Sequence, residues 1–301
     1  MPTNLNPAPA TSDPPRNLAE RPLTVITACR VNDLPILEIT ARQLRKTVPF
    51  QALQVVAPDR DCRQICKQLG SDVRVIPENE FIPGMTIEAI RNLPIFGFPG
   101  AAGWYFQQLI KLQFAFCEPE DDYYLIWDAD TVPLRPMRFF DAEGRALLTR
   151  ATEYHAPYFE TYRTLLGTEP NREFSFIAQH LLMQKSIVRE MLGRIETRTE
   201  GEENWAWKIM RSLPKTGDNL FSEYETYGHY VKNFHAGRVR FVNRAWQRDT
   251  SHHTGRGIPS EGELRTLAQT YDYVAFERAN KGWRRLANLL VGVFKQPRPR
   301  A

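Results

Sequence analysis

The sequence has no apolar run approaching the roughly 18 to 20 residues that span a bilayer, and its N-terminus lacks the basic-then-apolar order of a signal peptide. We therefore expect a cytoplasmic protein. It has only four cysteines, and their spacing is not that of a metal knuckle. Small buried thiols in a reducing compartment explain them better than a disulfide framework does. The net charge of +4 is too small to indicate nucleic-acid binding, and we expect no nucleic-acid partner.

The N-terminal segment, residues 1–22, almost lacks large apolar side chains and is rich in Pro, Asn and Ala. A segment of this composition cannot bury enough surface to offset the entropy lost on ordering, so we predict disorder there. We predict one domain over residues 23–282 and a separate C-terminal segment over 283–301. That last segment is basic and amphipathic, which suits peripheral binding to the anionic inner face of a membrane. A packed terminal helix explains the same residues.

Strands and helices alternate along the chain from Leu23. The apolar run 23–29 predicts a buried parallel strand, and a helix with Leu37, Ala41 and Leu44 on one stripe follows it. Further strands are predicted at 53–57 and 73–76, with a helix between them. This alternation indicates an α/β domain whose mixed, mostly parallel sheet is flanked by helices.

The next helix and strand lead to a pair of carboxylates. In the helix that begins near Trp104, Tyr105, Leu109, Leu112 and Phe116 form the predicted buried stripe, and the opposite stripe stays available for other contacts. The residues of that opposite stripe are Trp104, Gln108 and Lys111. A buried strand is predicted at 123–127, directly before the sequence Asp128-Ala-Asp130.

Asp128 and Asp130 are candidate metal ligands. Because successive side chains in a strand alternate between faces, we expect both carboxylates to point the same way, at the sheet edge where open α/β sheets bind ligands. Two converging carboxylates repel each other unless a cation lies between them. Mg²⁺ or Mn²⁺ suits such hard oxygen ligands and brings phosphate oxygens of a substrate into the same coordination sphere. An acidic turn that merely ends the strand is the alternative interpretation.

Several stretches together resemble the helix, strand and D-x-D motif of GT-A glycosyltransferases such as the glycogenin and lipopolysaccharide-galactosyltransferase group. These stretches are Trp104–Leu112, Tyr123–Trp127 and Asp128–Leu134. The sequence is more similar still to a family of uncharacterised bacterial proteins regarded as glycosyltransferases, whose pattern includes the segment Ser222-Glu-Tyr-Glu-Thr-Tyr-Gly228. The resemblance covers residues 23–246. It implies a GT-A fold, a Rossmann-like nucleotide-diphospho-sugar transferase domain.

The implied activity is metal-dependent transfer of a sugar from a nucleotide-diphosphate donor to a hydroxyl group of a saccharide or lipid-linked acceptor. Bacterial surface polysaccharide or glycolipid synthesis is the implied setting. The resemblance places Lys111 close to the donor diphosphate, where an ammonium group would offset phosphate charge. Gln107 and Gln108 would reach donor hydroxyl groups. The end of the first strand would contact the nucleotide, through Thr27, Ala28, Cys29 and Arg30.

The second half of the chain offers candidates for the sugar pocket and the general base. By position, the run 174–183 corresponds to the strand that lines the sugar and acceptor pocket in GT-A enzymes, which makes Gln179 and His180 candidates. A histidine in an apolar run is more often a core residue. Glu223 begins a predicted helix and is the candidate base that deprotonates the acceptor, with Asp218 in reserve. A favourable charge at the helix N-terminus is its alternative explanation.

Many GT-A enzymes add a C-terminal histidine to the metal site. Our candidate third ligand is His253, with His235 and His252 left open as alternatives. The Lys-Pro-Trp motif of glycogenin-like enzymes is absent, so the sequence does not select a retaining mechanism.

Other functions fit parts of the sequence. A haloacid-dehalogenase-type phosphotransferase also places Asp-x-Asp-Thr-Val after an apolar strand, but its nucleophile normally follows the first strand of the domain. About 100 residues of alternating strands and helices precede Asp128 here, so we rank that function lower. A non-catalytic protein that binds sugar nucleotides is the third possibility, because a fold does not establish an activity.

Overall fold

A computed structural model of the protein describes residues 20–79, 81–94, 100–117, 121–217, 219–248 and 258–276. The helices are α1 (Leu34–Thr47), α2 (Asp59–Leu69), α3 (Ile87–Arg91), α4 (Ala101–Gln113), α5 (Ala156–Leu166), α6 (Lys185–Arg198), α7 (Trp205–Ser212), α8 (Glu223–Phe234) and α9 (Glu261–Leu267). The strands are β1 (Leu23–Ala28), β2 (Phe50–Ala57), β3 (Val73–Pro77), β4 (Tyr123–Trp127), β5 (Thr131–Pro133), β6 (Ala146–Thr149), β7 (His180–Gln184), β8 (Val239–Val242), β9 (Trp246–Arg248) and β10 (Tyr273–Ala275).

The two terminal segments that we set apart from the domain lie mostly or wholly outside the described residues. Of the predicted disordered segment 1–22, only the last residues are described, and Arg21 forms an ion pair with Asp121. The whole of 283–301 lies outside the described part of the chain. Among the helices that are described, none has the length and apolar character needed to cross a membrane.

The main sheet has the strand order β3-β2-β1-β4-β7. The pairs β3–β2, β2–β1 and β1–β4 are parallel, whereas β7 runs antiparallel to β4. Helices α1, α4 and α6 pack against this sheet. The predicted fold class, an α/β domain with a mixed, mostly parallel sheet flanked by helices, is confirmed.

The strand order changes direction between β1 and β4. From β1 the chain builds outward through β2 and β3, and it then returns to add β4 on the other side of β1. Helices that follow neighbouring strands leave the sheet on opposite sides at such a point, which opens a crevice at the carboxyl ends of the strands. Ala28 ends β1 and Asp128 directly follows β4, so both lie at this crevice.

Two smaller sheets, with the strand orders β5-β10-β9 and β6-β8, complete the described fold. Strand β9 is an edge strand of the first and pairs in parallel with β10. Strands β9 and β10 have three residues each, which is too short for a period of two to be recognised in the sequence.

One residue of the predicted stripe on α4 is not buried. The α-helix ends at Gln113, and a 3-10 turn over Phe114–Phe116 continues the chain. Because that turn is wound more tightly than an α-helix, Phe116 leaves the stripe and is 48% exposed. Tyr105, Leu109 and Leu112 are buried as predicted.

The segment from Ser222 to Gly228 is explained by packing as well as by the site. Ser222 caps α8 by accepting a hydrogen bond from Glu225 N at 3.3 Å. The Tyr227 hydroxyl accepts one from Gln184 N at 2.8 Å, which joins the helix to the end of β7. At Gly228 the ring of Phe176 lies where a Cβ atom would be. A side chain at this position would therefore overlap a fully buried ring.

We expect Gly228→Ala to lower the free energy of unfolding by about 1–3 kcal/mol, because the added methyl group overpacks the core against Phe176. Gly193→Ala is the matched control, since nothing lies within 4 Å of its Cβ position in α6. There the higher helix propensity of alanine should raise stability by about 0.5–1 kcal/mol. Urea denaturation of both variants measures the difference. Equal effects of the two substitutions would contradict the contact with Phe176.

Candidate active site

A cavity of about 530 Å³ lies at the crevice between β1 and β4. Helix α4, the D-x-D turn and the start of α8 line it, and further residues come from the approach to β7 and from the end of β9. It brings together residues that the sequence predicted from separate segments: Ala28, Gln107, Gln108, Lys111, Asp128, Asp130, Gln179 and Glu223.

Asp128 and Asp130 line the same cavity, but a turn rather than a strand places them there. Strand β4 ends at Trp127, and Thr131 N donates to Asp128 O at 3.0 Å to close the turn. The alternation of side chains along a strand is therefore not the reason why both residues line the cavity. Neighbouring segments fix the turn, since Asp128 N donates to Gln179 O at 2.9 Å and Phe276 N to Asp130 O at 2.8 Å.

Lys111 connects the metal-binding candidate Asp128 to the base candidate Glu223. Its Nζ lies 2.6 Å from Asp128 Oδ1 and 2.7 Å from Glu223 Oε1. The Tyr224 hydroxyl donates to the same oxygen of Asp128 at 3.0 Å. Helix α4 delivers Lys111 and the first turn of α8 delivers Glu223 and Tyr224, so the network joins the two halves of the chain.

The charges in this network are strongly perturbed by burial. Burial by itself would lower the pKa of Lys111, but the carboxylates of Asp128 and Glu223 outweigh it and raise that pKa above its ordinary value. The ammonium therefore stays charged at neutral pH. Burial raises the pKa of Glu223, and Lys111 opposes this shift. A raised pKa moves a carboxylate toward the range in which it can take up a proton from a substrate.

Two residues in the cavity lining have strained backbone. Gln179 has φ 64° and Asn219 φ 52°, and they are the non-glycine residues with positive φ in the described part of the chain. Both line the cavity. Asparagine tolerates this conformation better than glutamine does. Such strain is concentrated at functional sites, so its placement supports a role for the cavity.

The amide of Gln179 links Asp128 to Arg248. With the amide oriented to suit its neighbours, Gln179 Nε2 donates to Asp128 Oδ2 at 3.2 Å. Its Oε1 then accepts from Arg248, whose Nε lies 3.2 Å away. The conformation of Gln179 thus orients a carboxylate on one side and a guanidinium on the other.

The residues that line the cavity are suited to a divalent cation. Five carboxylates and two cationic groups are among the described lining residues: Asp33, Asp128, Asp130, Glu153 and Glu223 against Lys111 and Arg248. An anionic diphosphate would be repelled from such a lining unless a cation came with it. No cluster of three or more His, Cys, Asp or Glu side chains able to hold a metal occurs within the described residues. Two carboxylates completed by substrate phosphates are, however, a common way of binding Mg²⁺.

The four residues predicted to contact the nucleotide, 27–30, differ in whether they are buried, exposed or part of the cavity lining. Thr27 and Cys29 are each 2% exposed and lie beneath the surface near Ala28, which is the member of the group that lines the cavity. Arg30 is exposed, and its guanidinium lies directly over Gly103 in α4. A side chain at position 103 would displace it.

His180 lies in the core rather than in the lining of this cavity. Its ring stacks on Trp127 at 4.8 Å, and its Nε2 lies 3.1 Å from Thr149 Oγ1. Burial lowers its pKa well below the ordinary value, so the imidazole is neutral. It follows Gln179 directly, and because the chain enters β7 between them, only Gln179 reaches the cavity.

The candidates for reserve base and third metal ligand are only partly described. Asp218, His252 and His253 lie outside the described residues. His235 follows the end of α8, and its Nε2 lies 3.0 Å from Glu190 Oε1. It does not belong to the lining of the cavity.

Sequence reasoning missed several residues of the lining. Tyr224 lies inside the segment 222–228 and could have been found there, because it follows Glu223 directly. Glu153 and Arg248 gave no signal, since the pair they form joins positions far apart in the chain. Tyr158 is buried beside them in the same lining.

We expect Lys111→Met to lower the free energy of unfolding by about 3–5 kcal/mol, since it leaves two facing carboxylates without their shared cation. Adding Glu223→Gln to this variant should recover part of the loss by removing one uncompensated charge. Urea denaturation at neutral pH of the wild type, both single variants and the double variant measures this coupling. Additive losses would show that the ammonium does not hold the two carboxylates together.

Solved structures match the chain at low sequence identity and with low TM-scores. A galactosyltransferase, LgtC, in complex with donor and acceptor sugar analogues matches 91% of this chain and 98% of its own at 13% identity, with a TM-score of 0.41. Mouse xyloside xylosyltransferase 1 matches 86% of this chain and 99% of its own at 11% identity, with a TM-score of 0.47. A 4-diphosphocytidyl-2C-methyl-D-erythritol synthase from Anaerococcus prevotii matches 74% and 89% at 12% identity, with a TM-score of 0.35.

Matches this distant carry no argument about the activity of this chain. No curated protein matches the chain by sequence. Residues 22–269 match a family of unknown function, DUF6492. This match covers most of the chain, and the protein therefore belongs to the DUF6492 family.

Proposed function

We propose that the protein is a metal-dependent glycosyltransferase that moves a sugar from a nucleotide-diphosphate donor to a hydroxyl group of an acceptor. The observation that carries the proposal is the joint placement of Asp128 and Asp130 in a cavity at the sheet crevice, within a lining rich in carboxylates. Such a lining needs a cation before it can accept a diphosphate. The resemblance to GT-A enzymes in the sequence points to the same chemistry.

Asp128 and Asp130 would hold Mn²⁺ or Mg²⁺, and the bound ion would offset the charge of the donor diphosphate and of the diphosphate that leaves. Lys111 contributes less directly than the sequence suggested, because Asp128 and Glu223 already share its charge. It holds Asp128 in place instead. Arg248 is the other cation in the described lining, where Glu153 and Gln179 hold its guanidinium.

Gln108 is proposed to bind a hydroxyl group of the donor. Its Oε1 accepts from Glu223 N at 3.2 Å, which fixes the amide between α4 and α8. Its Nε2 is buried and has no hydrogen-bond partner within the described residues. A buried donor of this kind is costly unless it is satisfied, and a ligand hydroxyl in the cavity would satisfy it.

Glu223 is proposed as the general base. In the transfer step the acceptor oxygen bonds to the anomeric carbon, the bond from that carbon to the diphosphate oxygen breaks, and the acceptor proton passes to the Glu223 carboxylate. Its raised pKa and its position in the lining suit this role. The acceptor is a saccharide or a lipid-linked saccharide, and synthesis of a bacterial surface polysaccharide or glycolipid is the proposed setting.

The donor and the metal should bind together. We expect a thermal-shift screen of UDP-, GDP-, CMP- and dTDP-sugars to show stabilisation by one nucleotide class only when Mn²⁺ is present; a ligand at 100 times its Kd adds about 2.7 kcal/mol. Asp130→Asn should abolish this stabilisation, because it removes a proposed ligand of the Mn²⁺ ion. Asp33→Asn removes one negative charge from the same lining and is the matched control. This variant should still be stabilised by the donor when Mn²⁺ is present. Stabilisation of the wild type without metal would contradict the proposal.

Product release in the same samples separates the competing functions. A transferase slowly hydrolyses its bound donor without an acceptor, whereas a non-catalytic binding protein leaves it intact. A haloacid-dehalogenase-type enzyme would instead release phosphate from a simple phosphate ester. Release of phosphate with no donor cleavage would replace the glycosyltransferase proposal.

We expect Glu223→Gln to lower kcat for transfer by a factor of about 10² to 10⁴, the usual contribution of a general base. Glutamine keeps the size of the side chain and an oxygen for Lys111, so the affinity for donor and Mn²⁺ should change little. Steady-state kinetics with the donor found in the screen, together with the thermal shift, measures both quantities. Turnover near the wild-type rate would remove Glu223 from the proton transfer.

A further inference from the structure

A second cavity of about 480 Å³ adjoins the proposed donor cavity. The two share three lining residues, Glu153, Ile177 and Arg248, so one wall separates them. A ligand in the second cavity would therefore lie next to a donor bound in the first. The proposed reaction needs such an arrangement, because the acceptor hydroxyl has to approach the anomeric carbon closely.

The second cavity has an aromatic wall that is held rigid. Trp246 lines it and stacks on Tyr273, with ring centroids 5.5 Å apart and planes 12° from parallel. Tyr273 is fully buried, so it fixes the orientation of the indole. Trp246 lies on the edge strand β9, where its ring remains partly accessible. A rigid, partly exposed aromatic ring is a suitable surface for the apolar face of a sugar.

The remaining lining is polar rather than aliphatic. Thr152 and Gln247 supply a hydroxyl and an amide, and Tyr271 adds a second aromatic ring. Ile177 is the one aliphatic side chain among the described lining residues. A cavity for an acyl chain would need many aliphatic side chains, whereas an aromatic ring with hydroxyl and amide groups matches a saccharide.

The shared wall carries an ion pair that can orient hydroxyl groups. Arg248 Nη1 donates to Glu153 Oε2 at 2.7 Å, and each side chain is about one-third exposed. Gln179 holds Arg248 from the donor side. Arg248 fixes the orientation of the Glu153 carboxylate. The remaining lone pairs of this carboxylate can therefore accept hydrogen bonds from a ligand at the wall between the two cavities.

We propose that the second cavity is the acceptor site and that it binds a saccharide ring, stacked near Trp246 and hydrogen-bonded to Glu153. This inference rests on the proposed glycosyltransferase function, and it names the side of the site on which the acceptor enters. Glu153 acts as a positioning group for an acceptor hydroxyl at the wall.

Ligand-observed saturation-transfer NMR on the full chain tests this assignment with free saccharides. The probes are methyl glycosides of glucose, galactose, mannose and N-acetylglucosamine, together with lactose and maltose. We expect at least one to bind the wild type, and Trp246→Ala to weaken that binding about tenfold. Glu153→Gln should weaken it severalfold. Trp207→Ala is the matched control, because Trp207 bonds to Gly84 O and lines neither cavity, and it should bind as the wild type does.

The outcomes separate the acceptor site from the proposed function. Binding that survives Trp246→Ala, or no binding by any saccharide, would overturn the assignment. Binding of octyl glucoside without binding of methyl glucoside would show that the cavity takes an alkyl chain, and would overturn it as well. Stabilisation by UDP-sugar or another donor with Mn²⁺ should be unchanged in Trp246→Ala. If donor and Mn²⁺ did not stabilise the wild type, the proposed function would be rejected. The NMR comparison would then still show whether the second cavity binds a saccharide.

Discussion

The arrangement of the candidate site depends on one buried ammonium group between two carboxylates. Lys111 is almost inaccessible, and its charge is retained only because Asp128 and Glu223 lie within hydrogen-bonding distance. Burying an ion pair contributes little stability by itself, because desolvation offsets the attraction, but removing one partner leaves an uncompensated charge. The main role of the network is therefore to position the Asp128 and Glu223 side chains rather than to stabilise the fold. Through Lys111 it joins the D-x-D turn to the first turn of α8. The position of Asp128 therefore depends on that of Glu223.

The sequence predicted the parts of the site that lie in regular or recurrent patterns. The strand before Asp128, the helix containing Lys111 and the helix starting at Glu223 all follow from periodicity and capping. The residues it missed are defined by contacts between distant segments, as Glu153 and Arg248 are. His180 shows a related difficulty, since a one-residue step separates it from Gln179 and local patterns do not show which of the two faces the cavity. The strained backbone of Gln179 decides this, and strain has no sequence signature.

The two cavities are lined by different parts of the fold. The D-x-D turn after β4, helix α4 and the start of α8 supply polar side chains of the first cavity, whereas β9 supplies the indole ring of the second. Edge strands and loops tolerate sequence change better than buried parallel strands do. A substitution at Trp246 would therefore alter the second cavity alone, whereas Arg248, on the same strand, lines both cavities.

The contacts between β10 and the D-x-D turn have a consequence for folding during synthesis. Strand β10 pairs with β5, and Phe276 N bonds to Asp130 O, so a late part of the chain fixes a turn near its middle. Contacts between such distant positions form late, because the intervening loop must first be closed. As the chain leaves the ribosome, the parallel core can assemble while this turn is still loose. A nascent or prematurely terminated chain that lacks β10 would thus have most of its hydrophobic core, but its D-x-D turn would lack the hydrogen bond from Phe276 N and the pairing of β5.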